Sequence, residues 1–116
     1  GYLDTENFVY GSLFGITFGM DKAQRIETFD SGSTHAMTLT AVDLDKDGKP
    51  VKWKVENSWG ADNGFGGCFI MTDRWFRDYM FRLVVNKEYV PENLLREFDQ
   101  KPVMVMPEDP LFAEDM

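Results

Sequence analysis

The chain has 116 residues, 43% of them apolar, so it can bury the core of one small domain and is too short for two. Its 12 basic and 20 acidic residues give a formal charge of −8, which disfavours contact with a phosphate backbone, so we expect no nucleic-acid partner. No apolar run is long enough to cross a bilayer, and we expect no membrane partner. The single cysteine, Cys68, excludes an internal disulfide framework and a cysteine-rich zinc site. No charged-then-apolar signal segment is present in the first residues. A cytoplasmic location is a separate expectation that does not rest on the start of the sequence.

Residues 2–30 are rich in aromatic side chains and are interrupted by Gly11, Gly15 and Gly19. This composition predicts short strands and turns. A helix over residues 21–26 is the alternative interpretation for the end of this segment.

The next stretch predicts a β-hairpin. Residues 34–42 form a β-branched, mostly apolar run that favours a buried strand, with His35 at its beginning. Residues 43–50 are a polar turn of Asp, Lys, Gly and Pro. Residues 51–58 alternate between apolar and charged side chains, which is typical of a second strand with one buried face.

A glycine-rich loop, a strand and a helical turn follow the hairpin. Residues 60–67 contain four glycines, and residues 68–72 predict a third strand. A short helical turn is expected from Asp73, capped by Thr72 or by Asp73 itself.

The last third of the chain predicts a strand, a helix and an extended tail. Residues 81–85 are interpreted as a fourth strand, and residues 91–100 as the one C-terminal helix, with Pro91 in its first turn and Leu94, Leu95 and Phe98 as its apolar stripe. Residues 101–116 contain three prolines and are predicted to be extended.

The chemistry of the chain is predicted at the open end of the hairpin. Asn57 ends the second strand and His35 begins the first, so pairing of the two strands brings these side chains together. An Asn carbonyl oxygen can accept from one ring nitrogen of His35, which leaves the other nitrogen free to accept a proton from a nucleophile. Trp59 beside them would shield this hydrogen bond from water. The structural alternative is a histidine without chemistry and a strand-ending turn that packs Trp59 into the core.

Several segments carry a resemblance to a known family. Residues 35–38, 55–60 and 66–76, together with residues 22–26 and 90–92, resemble successive landmarks in the C-terminal part of papain-like cysteine peptidases of the bleomycin hydrolase and aminopeptidase C type. The likeness implies an α+β fold, namely the β-rich half of the papain-like architecture built on an antiparallel sheet or barrel. Residues 1–116 would then be one partial domain that ends in an extended arm over residues 101–116.

The resemblance also implies roles for individual residues. His35 is expected to be the catalytic base and Asn57 the residue that orients it, with Ser58 and Trp59 as support and a peptide as substrate; no metal and no cofactor are implied. The family's nucleophilic cysteine and oxyanion-hole glutamine lie upstream, in sequence that this chain lacks. We therefore expect the chain alone to be inactive and its partner to be the missing N-terminal half. Cys68 is predicted to be a packed thiol in a strand.

Two further expectations concern the C-terminus and assembly. Family members keep their C-terminus in the active-site cleft, where its carboxylate restricts cleavage to free amino termini, which would give Met116 that role. The tail departs from the family pattern at Glu108, where an aromatic residue is usual, and at Phe112, where glycine is usual. The aromatic content predicts an apolar patch and a homo-oligomer. The alternative function is a non-catalytic fragment or assembly module.

A partial calcium motif is present in the hairpin turn. Asp43, Asp45, Asp47 and Gly48 match the start of a calcium-binding loop, but Lys54 stands at the twelfth position, where a bidentate glutamate is needed. We therefore interpret the segment as a solvated turn.

Overall fold

A four-stranded sheet is the centre of the fold in the computed structural model, which describes residues 1–112. Its strands are β1 (Tyr2–Leu3), β2 (Thr38–Leu44), β3 (Pro50–Glu56) and β4 (Cys68–Thr72), in the spatial order β1-β4-β3-β2. The predicted antiparallel pairing is confirmed for β2 with β3 and for β3 with β4. The β1 strand adds a parallel edge beside β4, so the sheet is mixed rather than wholly antiparallel.

Helices precede and follow the sheet strands. They are α1 (Tyr10–Phe14), α2 (Lys22–Glu27), α3 (Asp73–Tyr79) and α4 (Glu92–Leu95), with 3-10 turns at Lys87–Tyr89, Arg96–Asp99 and Pro110–Phe112. The α2 helix begins with a capping box, because Asp21 accepts from the backbone N–H of Gln24 and Gln24 accepts from that of Asp21. Within residues 1–112, no helix has the length and apolar character needed to span a membrane.

The hairpin of β2 and β3 is confirmed, but it begins later than expected. The register pairs Thr38 with Glu56, the last residue of β3, and the prediction that His35 begins the strand is wrong. Asn57 lies just beyond β3, where its backbone N–H donates to the carbonyl of Gly67 at 3.0 Å and continues the pairing toward β4 by one residue. On the other side of β3 the pairing with β2 stops at Thr38, so His35 lies in the irregular segment that leads from α2 to β2.

The tip of the hairpin confirms a polar turn, but one shorter than the expected residues 43–50: β2 continues to Leu44 and β3 begins at Pro50, which leaves residues 45–49 as the turn. The Asp45 carboxylate accepts from the backbone N–H groups of Asp47 at 2.8 Å and Lys49 at 2.9 Å. Gly48 adopts a φ of 77°, a conformation that suits glycine. The carboxylate most central to the partial calcium motif is thus committed to the backbone of the turn.

The core lies between β3 and β4. Among the residues whose burial is described, Val55 and Met71 are the buried apolar side chains, at 1% and 3% exposure. Val55 stands opposite Leu39 on one neighbouring strand and Phe69 on the other. Apolar side chains of three adjacent strands therefore surround it.

The α3 helix packs against β3 through an aromatic stack and a hydrogen bond. The rings of Trp53 and Phe76 stack at a centroid distance of 4.6 Å, and the indole N–H of Trp53 donates to Asp73 Oδ1 at 3.0 Å. This hydrogen bond is the main reason that the pKa of Asp73 is lowered, with Arg77 adding to it and burial opposing it. The helix begins at Asp73 because Thr72 Oγ1 accepts from the backbone N–H of Trp75, which confirms the expected cap.

The C-terminal third differs from its prediction. Residues 81–85 form no strand, and Val84 is 99% exposed. The helix expected over residues 91–100 is divided into α4 and the 3-10 turn at Arg96–Asp99. Residues 101–109 contain no helix or strand, a 3-10 turn follows at Pro110–Phe112, and Met116 lies outside the described residues.

Candidate active site

His35 and Asn57 meet at the open end of the hairpin, as the sequence predicts. His35 Nε2 lies 2.7 Å from Asn57 Oδ1. The two residues reach this distance because the register of β2 and β3 ends at Thr38 and Glu56, which places the segments just beyond the ladder side by side. The contact is a short hydrogen bond between two side chains 22 positions apart.

The neighbouring backbone fixes the direction of this hydrogen bond. The backbone N–H of Ser58 donates to Asn57 Oδ1 at 2.8 Å. A backbone N–H is always a donor, so the atom that it contacts must be the amide oxygen rather than the amide nitrogen. His35 Nε2 must then carry the proton and donate to the same oxygen. In the neutral ring, the unprotonated nitrogen is Nδ1, which is the atom able to accept a proton.

Trp59 and Phe69 hold the histidine ring from the side. The Trp59 ring lies 5.4 Å from the His35 ring, tilted by 34°, and Phe69 meets Trp59 edge-on at 5.9 Å. Trp59 itself is 60% exposed, so it flanks the His35 ring while much of its own surface remains in contact with solvent. Phe69 comes from β4, and the aromatic pair therefore connects His35 to the sheet.

The glycine-rich loop sets the position of Trp59. Asn63 Nδ2 donates to the backbone carbonyl of Trp59 at 2.6 Å, and the Asn63 carbonyl accepts from the N–H of Gly67 at 2.9 Å. Gly64 has a φ of 63°, and a Cβ there would stand only 2.3 Å from the carbonyl oxygen of Cys68. The loop can therefore close tightly against β4 only with glycine at that position.

His35 opens onto a largely apolar cleft of about 390 Å³. Met37, Trp59, Phe69, Trp75 and Phe81 are among its lining residues. The sequence did not single out Met37, Phe69, Trp75 or Phe81. The alternation along β4 is the signal that could have identified Phe69, since Phe69 and Met71 share one face of that strand.

Cys68 does not belong to the cleft. Successive side chains of a strand point to opposite faces of the sheet, and Phe69 is the neighbour that lines the cleft. Cys68 stands opposite Glu56 in β3, is partly buried and is a free thiol. Over residues 1–112, no group of three or more His, Cys, Asp or Glu side chains is arranged to hold a metal ion.

With this geometry in place, comparison with known proteins identifies the family. Residues 1–112 match the model of the Peptidase C1-like family. The chain belongs to this family. It is 43% identical to aminopeptidase C of Lactobacillus delbrueckii subsp. lactis and 41% identical to bleomycin hydrolase of Homo sapiens. Each comparison covers 97% of this chain and 26% of the relative.

A solved structure supports the same relationship. The crystal structure of pepw from Lactobacillus rhamnosis HN001 superposes with a TM-score of 0.86 at 45% identity, over 97% of this chain and 26% of that one. The predicted papain-like α+β fold is therefore confirmed. The chain spans 26% of the length of these relatives, which are cysteine peptidases.

Proposed function

We propose that this chain is the C-terminal part of a thiol aminopeptidase of the bleomycin hydrolase type and supplies its base and orienting residue, His35 and Asn57. The observation that carries the proposal is the 2.7 Å contact between His35 Nε2 and Asn57 Oδ1 at the wall of a cleft. A Cys-His-Asn set is the known papain-like form of the catalytic triad, and this pair has the geometry that such a set requires of its second and third members.

The reaction follows from the tautomer. His35 Nδ1 accepts the proton of a cysteine thiol, and the thiolate attacks the carbonyl carbon of the substrate. The imidazolium then returns the proton to the leaving amine, and a water molecule, deprotonated by the same nitrogen, releases the acyl group from the sulfur. Asn57 keeps the ring in one orientation throughout, and the aromatic side chains of the cleft receive the apolar parts of a peptide.

The nucleophile must come from outside this chain. Cys68, its single cysteine, lies on the opposite face of β4 from the cleft. The proposed partner is therefore the remainder of the same, longer protein, which would bring its cysteine to the Nδ1 side of His35. The aminopeptidase restriction by a C-terminal Met116 remains part of this proposal.

Substitutions in the full-length protein test the assignment. His35→Ala should lower kcat by about a thousandfold, because the general base is lost. Asn57→Ala should lower kcat by about a hundredfold or less, because it leaves the base present but misoriented. Both are measured on an aminoacyl fluorogenic substrate, after equal folding has been established by circular dichroism.

The matched control is Lys54→Ala, an exposed position on β3 that should leave kcat unchanged. The isolated chain should show no thiol-dependent turnover. A His35→Ala enzyme with near-normal kcat would contradict the proposal and favour a non-catalytic assembly module instead.

A further inference from the structure

His35 stands in a segment that no strand supports. The chain leaves α2 after Glu27 and enters β2 at Thr38, and His35 lies in the irregular part between them. Asn57 and Trp59 contact its ring but do not fix the backbone on the upstream side. The position of the ring therefore also depends on how the residues that follow α2 are held.

The turn after α2 converges on Arg25. The carbonyl oxygen of Arg25 accepts from the backbone N–H groups of Asp30 at 2.8 Å and Ser31 at 3.1 Å. Phe29, between them and the helix, has a φ of 60°, which is uncommon for a residue with a side chain. The turn is thus tight, and Ser31 leaves it only four residues before His35.

The guanidinium group of Arg25 holds the same turn a second time. One terminal nitrogen donates to Ser31 Oγ at 3.1 Å, and the other donates to the carbonyl oxygen of Asp78 at 3.0 Å, at the end of α3. The group also lies over the ring of Tyr79 at 4.6 Å. Arg25 therefore joins the turn before His35 to the helix that lines the cleft.

Lys22 provides a direct comparison, because it lies one turn earlier on the same helix. Its ammonium group donates to the carbonyl oxygens of Arg77 and Met80 and lies over the ring of Phe81. Lys22 thus connects α2 to the end of α3 as Arg25 does, but its described contacts do not include the turn at residues 28–31. A comparison of substitutions at Lys22 and Arg25 can therefore distinguish the packing of α2 on α3, to which both contribute, from the anchoring of the turn, which involves Arg25.

We propose that Arg25 is a positioning residue for His35, and that it acts by fixing Ser31 to the C-terminal end of α3. The proposal rests on the proposed role of His35 as the base. Residues 32–34 connect Ser31 to His35, and a Cβ at Gly32 would meet no atom within 4 Å, so no side-chain contact is made at this position. Without Arg25, the upstream end of this connection loses its side-chain anchor, and the ring can depart from the geometry that proton transfer needs.

The test is a split between kcat and KM in the full-length protein. Arg25→Ala should lower kcat by about tenfold to a hundredfold and change KM less than threefold, because a misplaced base slows proton transfer without removing substrate contacts. Arg25→Lys, which keeps the charge but cannot reach both acceptors and the ring together, should recover part of the loss. Ser31→Ala, which removes a single contact, should lower kcat severalfold.

Lys22→Ala is the matched control and should lower the melting temperature without lowering kcat per folded molecule. The folded fraction is determined in each case by titration of the active-site thiol. The inference is overturned if Arg25→Ala loses only stability, as Lys22→Ala does, and keeps the kcat of the unmodified enzyme. If Arg25→Ala fails to fold, an unchanged kcat in both Arg25→Lys and Ser31→Ala overturns it equally. The underlying function fails differently, through a His35→Ala enzyme that is still active.

Discussion

Val55 in β3 is 1% exposed, whereas Val84, in the segment after α3, is 99% exposed. Both are β-branched residues in stretches that the sequence predicts as strands. Val55 becomes part of a core because β2 and β4 pair with its strand on both sides and bring Leu39 and Phe69 next to it. Residues 81–85 are not part of the sheet, and the valine side chain at position 84 remains in contact with solvent.

The contrast extends to the rest of the C-terminal third. Phe98, Val103 and Met104 are 85%, 88% and 86% exposed. Strand propensity and apolar character therefore do not create a core by themselves, since a neighbouring surface is needed. We propose that the remainder of the longer protein also packs against residues 81–106, which would cover these side chains, whereas the sheet is held together by its own strands.

The largest effect is expected at the centre of the sheet. Met71→Ala should lower the free energy of opening of β3 and β4 by about 2–4 kcal/mol, because a nearly buried side chain leaves a cavity that its neighbours fill only in part. Native-state hydrogen exchange of the amides in β3 and β4 measures this quantity.

Val51→Ala is the control for Met71→Ala. Val51 lies on β3 but is 43% exposed, and its substitution should change the same free energy by about 0.5 kcal/mol or less. Equal losses at both positions would mean that local pairing, rather than burial, distinguishes the sheet from the C-terminal third.

An effect of intermediate size is expected where α3 meets β3. Asp73→Asn retains an oxygen for the indole N–H of Trp53 but loses the negative charge that this hydrogen bond and Arg77 favour. Arg77 is 72% exposed, so solvent screens much of its ion pair, and the loss at pH 7 should be about 1 kcal/mol or less.

The pH dependence of this effect has a defined sign. Folding lowers the pKa of Asp73 below its ordinary value of 3.8, so its contribution is fully present above that pH and is lost as the pH falls through the lowered pKa. The unmodified protein and Asp73→Asn should therefore converge in stability at strongly acidic pH. A difference that stays constant down to that pH would contradict the assignment. Glu92→Gln, which removes an exposed ion pair with Arg96, is the control with almost no expected effect.

The sequence predicted those parts of the molecule that depend on neighbouring segments. Alternation and a turn of Asp, Lys and Gly were enough to predict the hairpin, and the hairpin in turn predicted the meeting of His35 with Asn57. The start of β2 was placed too early, because residues 34–37 have a composition typical of a strand but lie outside the pairing of β2 with β3, which begins at Thr38.

Parts that depend on distant segments were predicted wrongly or not at all. The parallel pairing of β1 with β4 joins residues nearly seventy positions apart, as between Tyr2 and Ile70. The helix expected over residues 91–100 tightens into a 3-10 turn after Leu95, where Phe98 has no surface to pack against within the described chain. The anchoring of the turn before His35 by Arg25 was missed because guanidinium contacts to backbone carbonyls leave no pattern in sequence.

The smallest effect on the sheet is expected from Val84→Ser. In the isolated chain, this substitution should leave hydrogen exchange in β3 and β4 unchanged, because the side chain is 99% exposed and far from the core pairing. In the full-length protein, the same substitution should lower the melting temperature if residues 81–85 are covered by the remainder of the chain, since a hydroxyl would then replace buried apolar surface.

The isolated chain should also self-associate through its uncovered apolar residues, and light scattering over a concentration series should show less association for Val84→Ser. A monomeric isolated chain together with an unaffected full-length protein would mean that this segment is an ordinary exposed loop. Val84 would then be exposed in the whole protein too, and no missing surface would explain its difference from Val55.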